Sequence, residues 1–361
     1  MTPRFRNFPV LAAGLALLAA IAAGAPLAQA KNEKSGALAR MAAQAAFNQF
    51  KRDFWPRARR AGIRRHVYVQ AMQYMTPDWD VLRRMRNQAE FRLSTGDYVA
   101  RYASAARIAT GRQKLTRLSG LLGAIERRYG VDRHVVLAIW GMETNYGTRM
   151  GDHNLIRALA TLAFSGRRKR YGRAQLIAAL KILQRGDVTL KNMKASWAGA
   201  FGHTQFIPTT YLGYAQDFNG DGRRDVWNTL SDALASTAHY LKRRGWRRGL
   251  PWGWEVRLPA NFPRRLIGRR AMRSVGQWAR LGVRPAKAKR FYALKARAWL
   301  IRPAGRRGPA FLVTRNFRAL LAYNNAVAYA LAVGILADRI AGGGPPARDF
   351  PASGQQTASV R

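Results

Sequence analysis

Residues 115–147 constrain the fold most, because they carry two consecutive helix signatures with their own stops. Leu118, Leu121, Leu122 and Ile125 recur at three- and four-residue steps and share one face of a helix predicted over 115–128. Gly130 supplies a stop, and Asp132 caps a second helix through Val135, Val136, Ile139 and Trp140, with Gly147 as its stop. The same periodicity, read from Phe47, Phe50 and Phe54 and from apolar residues further on, predicts helices around 47–54, 78–92, 173–184, 231–244 (capped by Ser231) and 316–340. Residues 195–214, rich in glycine and aromatics, read as part loop and part helix. One stretch breaks the pattern. Residues 249–315 hold Trp252, Trp254, Trp278 and Trp299, several prolines and short alternating runs, as a small strand-bearing insertion would. The expectation is an α+β, predominantly α-helical chain. It divides into a signal at 1–30, a helical region at 31–112, a core at 113–248, the insertion at 249–315, a closing helix at 316–341 and a tail at 342–361.

Composition narrows the setting. With 48% apolar residues the chain can bury a sizeable core despite its charge. Arg4 and Arg6, an apolar run over 10–23, and Ala28-Gln29-Ala30 together read as a removable export signal. The apolar run is short for a membrane span of about 20 residues. Sixty-three Lys and Arg against eighteen Asp and Glu create a field that favours polyanions. Export argues against nucleic acid as the partner and leaves wall polymers and anionic membrane surfaces, with no stable membrane insertion once the signal is cut. The chain has no cysteine, which excludes disulfides, thiolate metal sites, a cysteine nucleophile and a lipid-attachment cysteine. A periplasmic protein is the expectation.

There are only five glutamates. Glu33 follows the signal, Glu90 and Glu126 sit beside arginines on polar helix faces, and Glu255 lies in the insertion. Glu143 follows Val136, Ile139 and Trp140 by seven, four and three residues, which sets it on the apolar face of its helix and in the last turn. Desolvation and the negative end of the helix dipole both disfavour its anion. A carboxylic acid kept protonated near neutral pH suits cleavage of a glycosidic bond, where the leaving oxygen needs a proton. The plainer alternative is a buried glutamate paired with an arginine.

Glu143-Thr144-Asn145-Tyr146-Gly147 resembles the Glu-Ser/Thr-x-x-Gly signature of lytic transglycosylases and goose-type lysozymes. Three further blocks, at 152–164, 196–211 and 217–240, together with Tyr323-Asn324-Asn325 and Tyr329, resemble the membrane-bound lytic transglycosylase B family, glycoside hydrolase family 103. The resemblance runs over about 115–341. It implies a lysozyme-like catalytic domain that cuts the MurNAc–GlcNAc β-1,4 bond of peptidoglycan strands. Glu143 would act first as acid and then as base, while the muramic 6-hydroxyl closes a 1,6-anhydro ring. Glycosidases in general use two carboxylates. The implied reaction needs one, and Asp152 is the acid nearest Glu143 in sequence. The resemblance also implies that Ser196 and Gln205 line the substrate cleft. Tyr323 and Asn324 would orient the acid or the acetamido groups, with Tyr329 contributing from the same helix. It implies no required cofactor. A hydrolase of the same bond and a non-catalytic basic wall-binding scaffold are the rival readings.

Three sets of residues are read on their own terms. Arg167, Arg168 and Tyr171 are candidates for touching saccharide or peptide carboxylates, although an arginine run is commonly a solvated face. Asp217, Asn219, Asp221 and Asp225, with Gly222 at the turn, follow the spacing of a calcium loop, but Asn228 replaces the bidentate glutamate. That predicts a weak structural calcium site or a hydrogen-bonded Asx turn. The five histidines show no metal-ligand spacing, and His203 is expected to be neutral.

Overall fold

The computed structural model describes residues 19–86, 93–165 and 168–351. The start of the expected signal, Glu90, Arg167 and the end of the tail lie outside them. By internal contacts the chain divides after Arg57. In the first unit, helix α1 (Ala19–Arg60) stacks Phe47, Phe50 and Phe54 at centroid spacings of 5.8 and 5.5 Å, as their periodicity predicts.

In the second unit, α7 (Arg133–Thr144) is the central helix. All residues from Val135 to Met142 are buried, so it is apolar all round rather than on one stripe. Burial of each large side chain contributes about 1.5–3 kcal/mol. Against α7 pack α5 (Ala105–Arg117), α6 (Ser119–Tyr129), α11 (Leu230–Arg243) and α14 (Val327–Ile340). Helix α4 (Thr95–Tyr102) lies on α14. On another side, α8 (Leu155–Phe164) and α9 (Lys169–Arg185) pair closely and are flanked by α2 (Arg65–Met72), α3 (Trp79–Arg86) and α10 (Pro208–Tyr214). Strands β1 (His153–Asn154) and β2 (Lys194–Ala195) form a small antiparallel pair.

Several helix boundaries differ from expectation. The helix predicted over 115–128 is two helices, jointed at Leu118 (φ −110°, ψ 18°), because Ser119-Gly120 favour a helix start over an interior. The cap of α11 is Thr229, not Ser231, which lies inside the first turn. The last helix is also two. Helix α13 (Arg315–Tyr323) ends where Asn324 turns extended (φ −141°, ψ 119°), and α14 leaves at 115° to it. No single helix among the described residues is long and apolar enough to cross a membrane.

The 249–315 stretch folds as expected into an antiparallel sheet. It contains β3 (Gly253–Arg257), β4 (Arg273–Ser274), β5 (Arg284–Pro285), β6 (Arg297–Ile301) and β7 (Ala310–Thr314), in the order β4-β6-β7-β3-β5. Trp254, Trp278, Val275, Leu300 and Leu312 form its own core, with α12 (Val275–Arg280) folded over it. Trp252 ties this region to α14. Its indole donates to both Asp338 oxygens at 3.2 and 3.1 Å, and its ring lies so close to Gly334 that a Cβ there would sit 2.5 Å from Cε2.

Candidate active site

Asp132 caps α7 through the His134 amide, as predicted, and the helix delivers Glu143 in its last turn. The stop comes earlier than expected. Asn145 (φ 49°), Tyr146 (φ 58°) and Gly147 (φ 87°) are all left-handed, so the chain reverses tightly after Thr144. Tyr146 then turns back under α7, its hydroxyl donating to the Arg107 carbonyl at 2.9 Å. Gly147 has to be glycine for space as well as for φ, since a Cβ would lie 2.8 Å from His203 Nδ1.

Thr144 links this turn to the 203–205 segment. Its hydroxyl donates to the His203 carbonyl at 2.6 Å and accepts from the Gly147 amide at 3.0 Å. His203 Nδ1 accepts from the Trp140 indole at 3.2 Å, so the ring proton sits on Nε2. Burial lowers its pKa and keeps it neutral, as expected. Tyr323 holds the same segment from the other side, donating to the Thr204 carbonyl at 2.6 Å.

Glu143 sits at the floor of this frame. Its surface is partly open while the surrounding atoms are dense, and the resulting desolvation pushes its carboxyl up to about 7. Tyr329 opposes this by donating to Oε1 at 2.6 Å. Among the described residues no arginine pairs with Glu143, and no second carboxylate contributes to its shift. Asp152 is exposed.

The remaining predicted residues fall into two places. Tyr323 and Tyr329 lie beside Glu143, their rings parallel within 4° at 6.4 Å. They come from α13 and α14, not from one helix, because the break at Asn324 intervenes. Gln205 adopts a left-handed backbone (φ 53°) and donates to the Met150 and Gly202 carbonyls, both at 3.2 Å. Asn324 is exposed, and its backbone amide closes α13 by bonding to Leu320. Ser196, Arg168 and Tyr171 gather around the 196–200 turn instead. Ser196 Oγ accepts from Ala200, Tyr171 donates to the Ala198 carbonyl, and the Arg168 guanidinium lies 5.9 Å from the Trp197 ring centroid. Bridges from Ala195 to Phe201 and from Phe201 to Phe206 join the two places. Phe201 itself is core, stacked on Trp227 at 4.2 Å.

Sequence reasoning missed Tyr98. It rides on α4, is half-buried, and feels the charge of Glu143, which helps to raise its phenol pKa. Only the packing of α4 on α14 brings it there.

The 217–228 loop closes on itself. Asp217 accepts from the Gly220 and Gly222 amides at 2.7 and 2.9 Å, Asp225 from Trp227 and Asn228 at 2.9 and 3.0 Å, and Asp221 from Arg223 and Asn219. Buried Asp232 completes it, accepting from Phe218 and Asp225. Among the described residues, no three His, Cys, Asp or Glu side chains are gathered to hold a metal.

Known proteins share this architecture. SltB3 from Pseudomonas aeruginosa, solved in complex with NAG-anhNAM-pentapeptide, superposes with a TM-score of 0.82 at 48% identity, covering 84% of this chain and 82% of that one. The lytic transglycosylase Slt35 from Escherichia coli, solved with bulgecin A and with calcium, gives a TM-score of 0.67 at 28% identity, over 82% of this chain and 92% of its own. The fold is therefore the lysozyme-like fold of lytic transglycosylases. Membrane-bound lytic murein transglycosylase B from Escherichia coli is 34% identical over 217 residues; the match takes in 59% of this chain and 58% of that protein's length. A family model described as the transglycosylase SLT domain matches residues 46–338, and the chain belongs to that family.

Proposed function

We propose that this protein is a murein lytic transglycosylase that cuts the MurNAc–GlcNAc bond of peptidoglycan strands with Glu143 as its one catalytic carboxyl. The observation that carries the reading is a lone glutamate, poised near neutrality by burial and oriented by Tyr329, in a frame shared with relatives that bind such fragments. In the first step Glu143 gives its proton to the leaving glycosidic oxygen as the C1–O bond breaks. In the second it takes the proton of the muramic 6-hydroxyl as O6 bonds to C1. The carboxyl ends as it began, and no water is consumed. Among the described residues no second carboxylate acts on Glu143, which favours this route over hydrolysis.

Gln205, Tyr323 and Asn324 then line the sugar site near the acid, and Ser196, Tyr171 and Arg168 extend it along the 196–200 turn. Lytic transglycosylases need no cofactor. We assign the 217–228 loop a structural role, with calcium held weakly, because its carboxylates are already engaged by their own amides. Work on the wall places the protein in the periplasm, in keeping with the export signal read from residues 1–30.

Mass spectrometry of digested sacculi tests the reading. Anhydro-ended products are expected from the wild type, and products heavier by one water would instead establish a hydrolase. Glu143→Gln should lower the rate by about 10²–10⁴-fold. Undiminished cleavage by that variant would remove Glu143 from the mechanism.

A further inference from the structure

The sheet region holds a recess of about 1000 Å³ that the reaction above leaves unused. Neither Glu143 nor any other residue assigned to the sugar site lines it. Its floor is apolar, built from Val256, Leu258, Phe262, Ile267 and Ala310. Its lining carries five guanidinium groups, on Arg257, Arg264, Arg302, Arg306 and Arg348.

Among the described residues these charges lack a counterion. The lining contains one acid, Glu255, and both of its oxygens are occupied by the amides of Ala347 (2.7 Å) and Arg348 (3.0 Å). None of the five arginines forms an ion pair among the described residues. Arg302 is half-buried, spends one amino group on the Arg306 carbonyl at 2.6 Å, and has a buried Nε with no partner. Its pKa is lowered by burial and then by Arg306, Arg348 and Arg264. In so basic a chain, crowded arginines are common on the surface. Partial burial of one of them at an apolar-floored cavity is a different matter, because repulsion there is screened less and an arriving anion relieves it.

The chemistry selects among anions. Guanidinium forks pair bidentately with carboxylates, and the apolar floor suits aliphatic side chains between them. A bare phosphate polymer would make no use of that floor. The volume lies at the upper end of ligand sites, about 300–1000 Å³, and has room for a short peptide. We infer that the recess is a second binding site, which takes a carboxylate-bearing peptide arm of the glycan while Glu143 works on the sugar backbone. The identity of that ligand rests on the function proposed above.

Titration calorimetry on the full chain tests the site directly, using a synthetic pentapeptide with a glutamate side chain and a free C-terminus as the probe. Kd should rise at least tenfold from low to 0.3 M salt, and as much when the peptide's carboxylates are amidated. Arg264→Gln with Arg302→Gln should weaken binding at least tenfold. Arg264→Gln with Arg348→Gln, both exposed, serves if the half-buried position does not tolerate change. Unaltered affinity in that second pair overturns the proposal, as does displacement of the peptide by an equal concentration of inorganic phosphate. The variants should also lose activity on peptide-bearing sacculi and keep it on peptide-free glycan strands. A wild type that cuts neither glycan refutes the enzyme reading, while the peptide titration still decides whether the recess binds.

Discussion

At Glu143 two influences oppose each other. Burial holds the proton on, and the Tyr329 hydroxyl, donating at 2.6 Å, pulls the carboxyl back toward ionisation. The balance near 7 gives the pH dependence a definite sign. The proposed reaction needs the acid form first, so kcat/KM should be flat below about pH 7 and fall about tenfold per unit above it. Tyr329→Phe removes the opposing hydrogen bond at nearly constant volume. The alkaline limb of the profile should then move to higher pH, while loss of orientation lowers kcat by about tenfold. An unchanged limb would mean that the hydroxyl does not act on the acid. Glu143 was legible in the sequence because its spacing from Val136, Ile139 and Trp140 is a local, helical property. Tyr98 was not, because it approaches only through packing between helices distant in sequence.

Among the elements, the turn after α7 sets the site. Three consecutive left-handed residues let Thr144 reach the His203 carbonyl and Gly147 abut the His203 ring. Gly147→Ala should therefore cost about 1–3 kcal/mol of stability, from the positive φ and from a contact that His203 cannot yield without releasing Trp140. Gly120→Ala is the control, because a Cβ there meets nothing within 4 Å and helix propensity improves. Equal denaturation midpoints for Gly147→Ala and wild type would contradict the argument. Helix existence was readable from apolar periodicity, and so was the strand-bearing character of 249–315. The joints at Leu118 and Asn324 were not, because apolar periodicity runs on across each break. The expectation that Tyr323 and Tyr329 share one helix followed from missing the second joint.

At the scale of the molecule, the 217–228 loop spans from α10 to α11 and is clasped by Asp232, so its state registers in global unfolding. A millimolar-affinity calcium site would contribute only about 0.4 kcal/mol at 1 mM calcium. Melting with calcium and with chelator should differ by about 2 °C or less. A shift above about 5 °C would show a preorganised site that the self-closed loop does not suggest. Charge was the least informative global signal. It pointed to polyanions without saying where, and only the fold gathers Arg264, Arg302, Arg306 and Arg348 around one cavity.

The fastening of Trp252 to α14 has a consequence for the acid at the far end of that helix. Tyr329 lies in the first turn and Asp338 in the last, about 13 Å apart along the axis. Sliding by one residue would advance the rod about 1.5 Å and rotate it about 100°, carrying the Tyr329 hydroxyl away from Glu143. The indole wedged against Gly334 and hooked to Asp338 forbids that slip. The sheet region thus sets the phase of α14, like a pawl on a ratchet, and disturbance at Trp252 would be felt as detuning of a carboxyl it never touches.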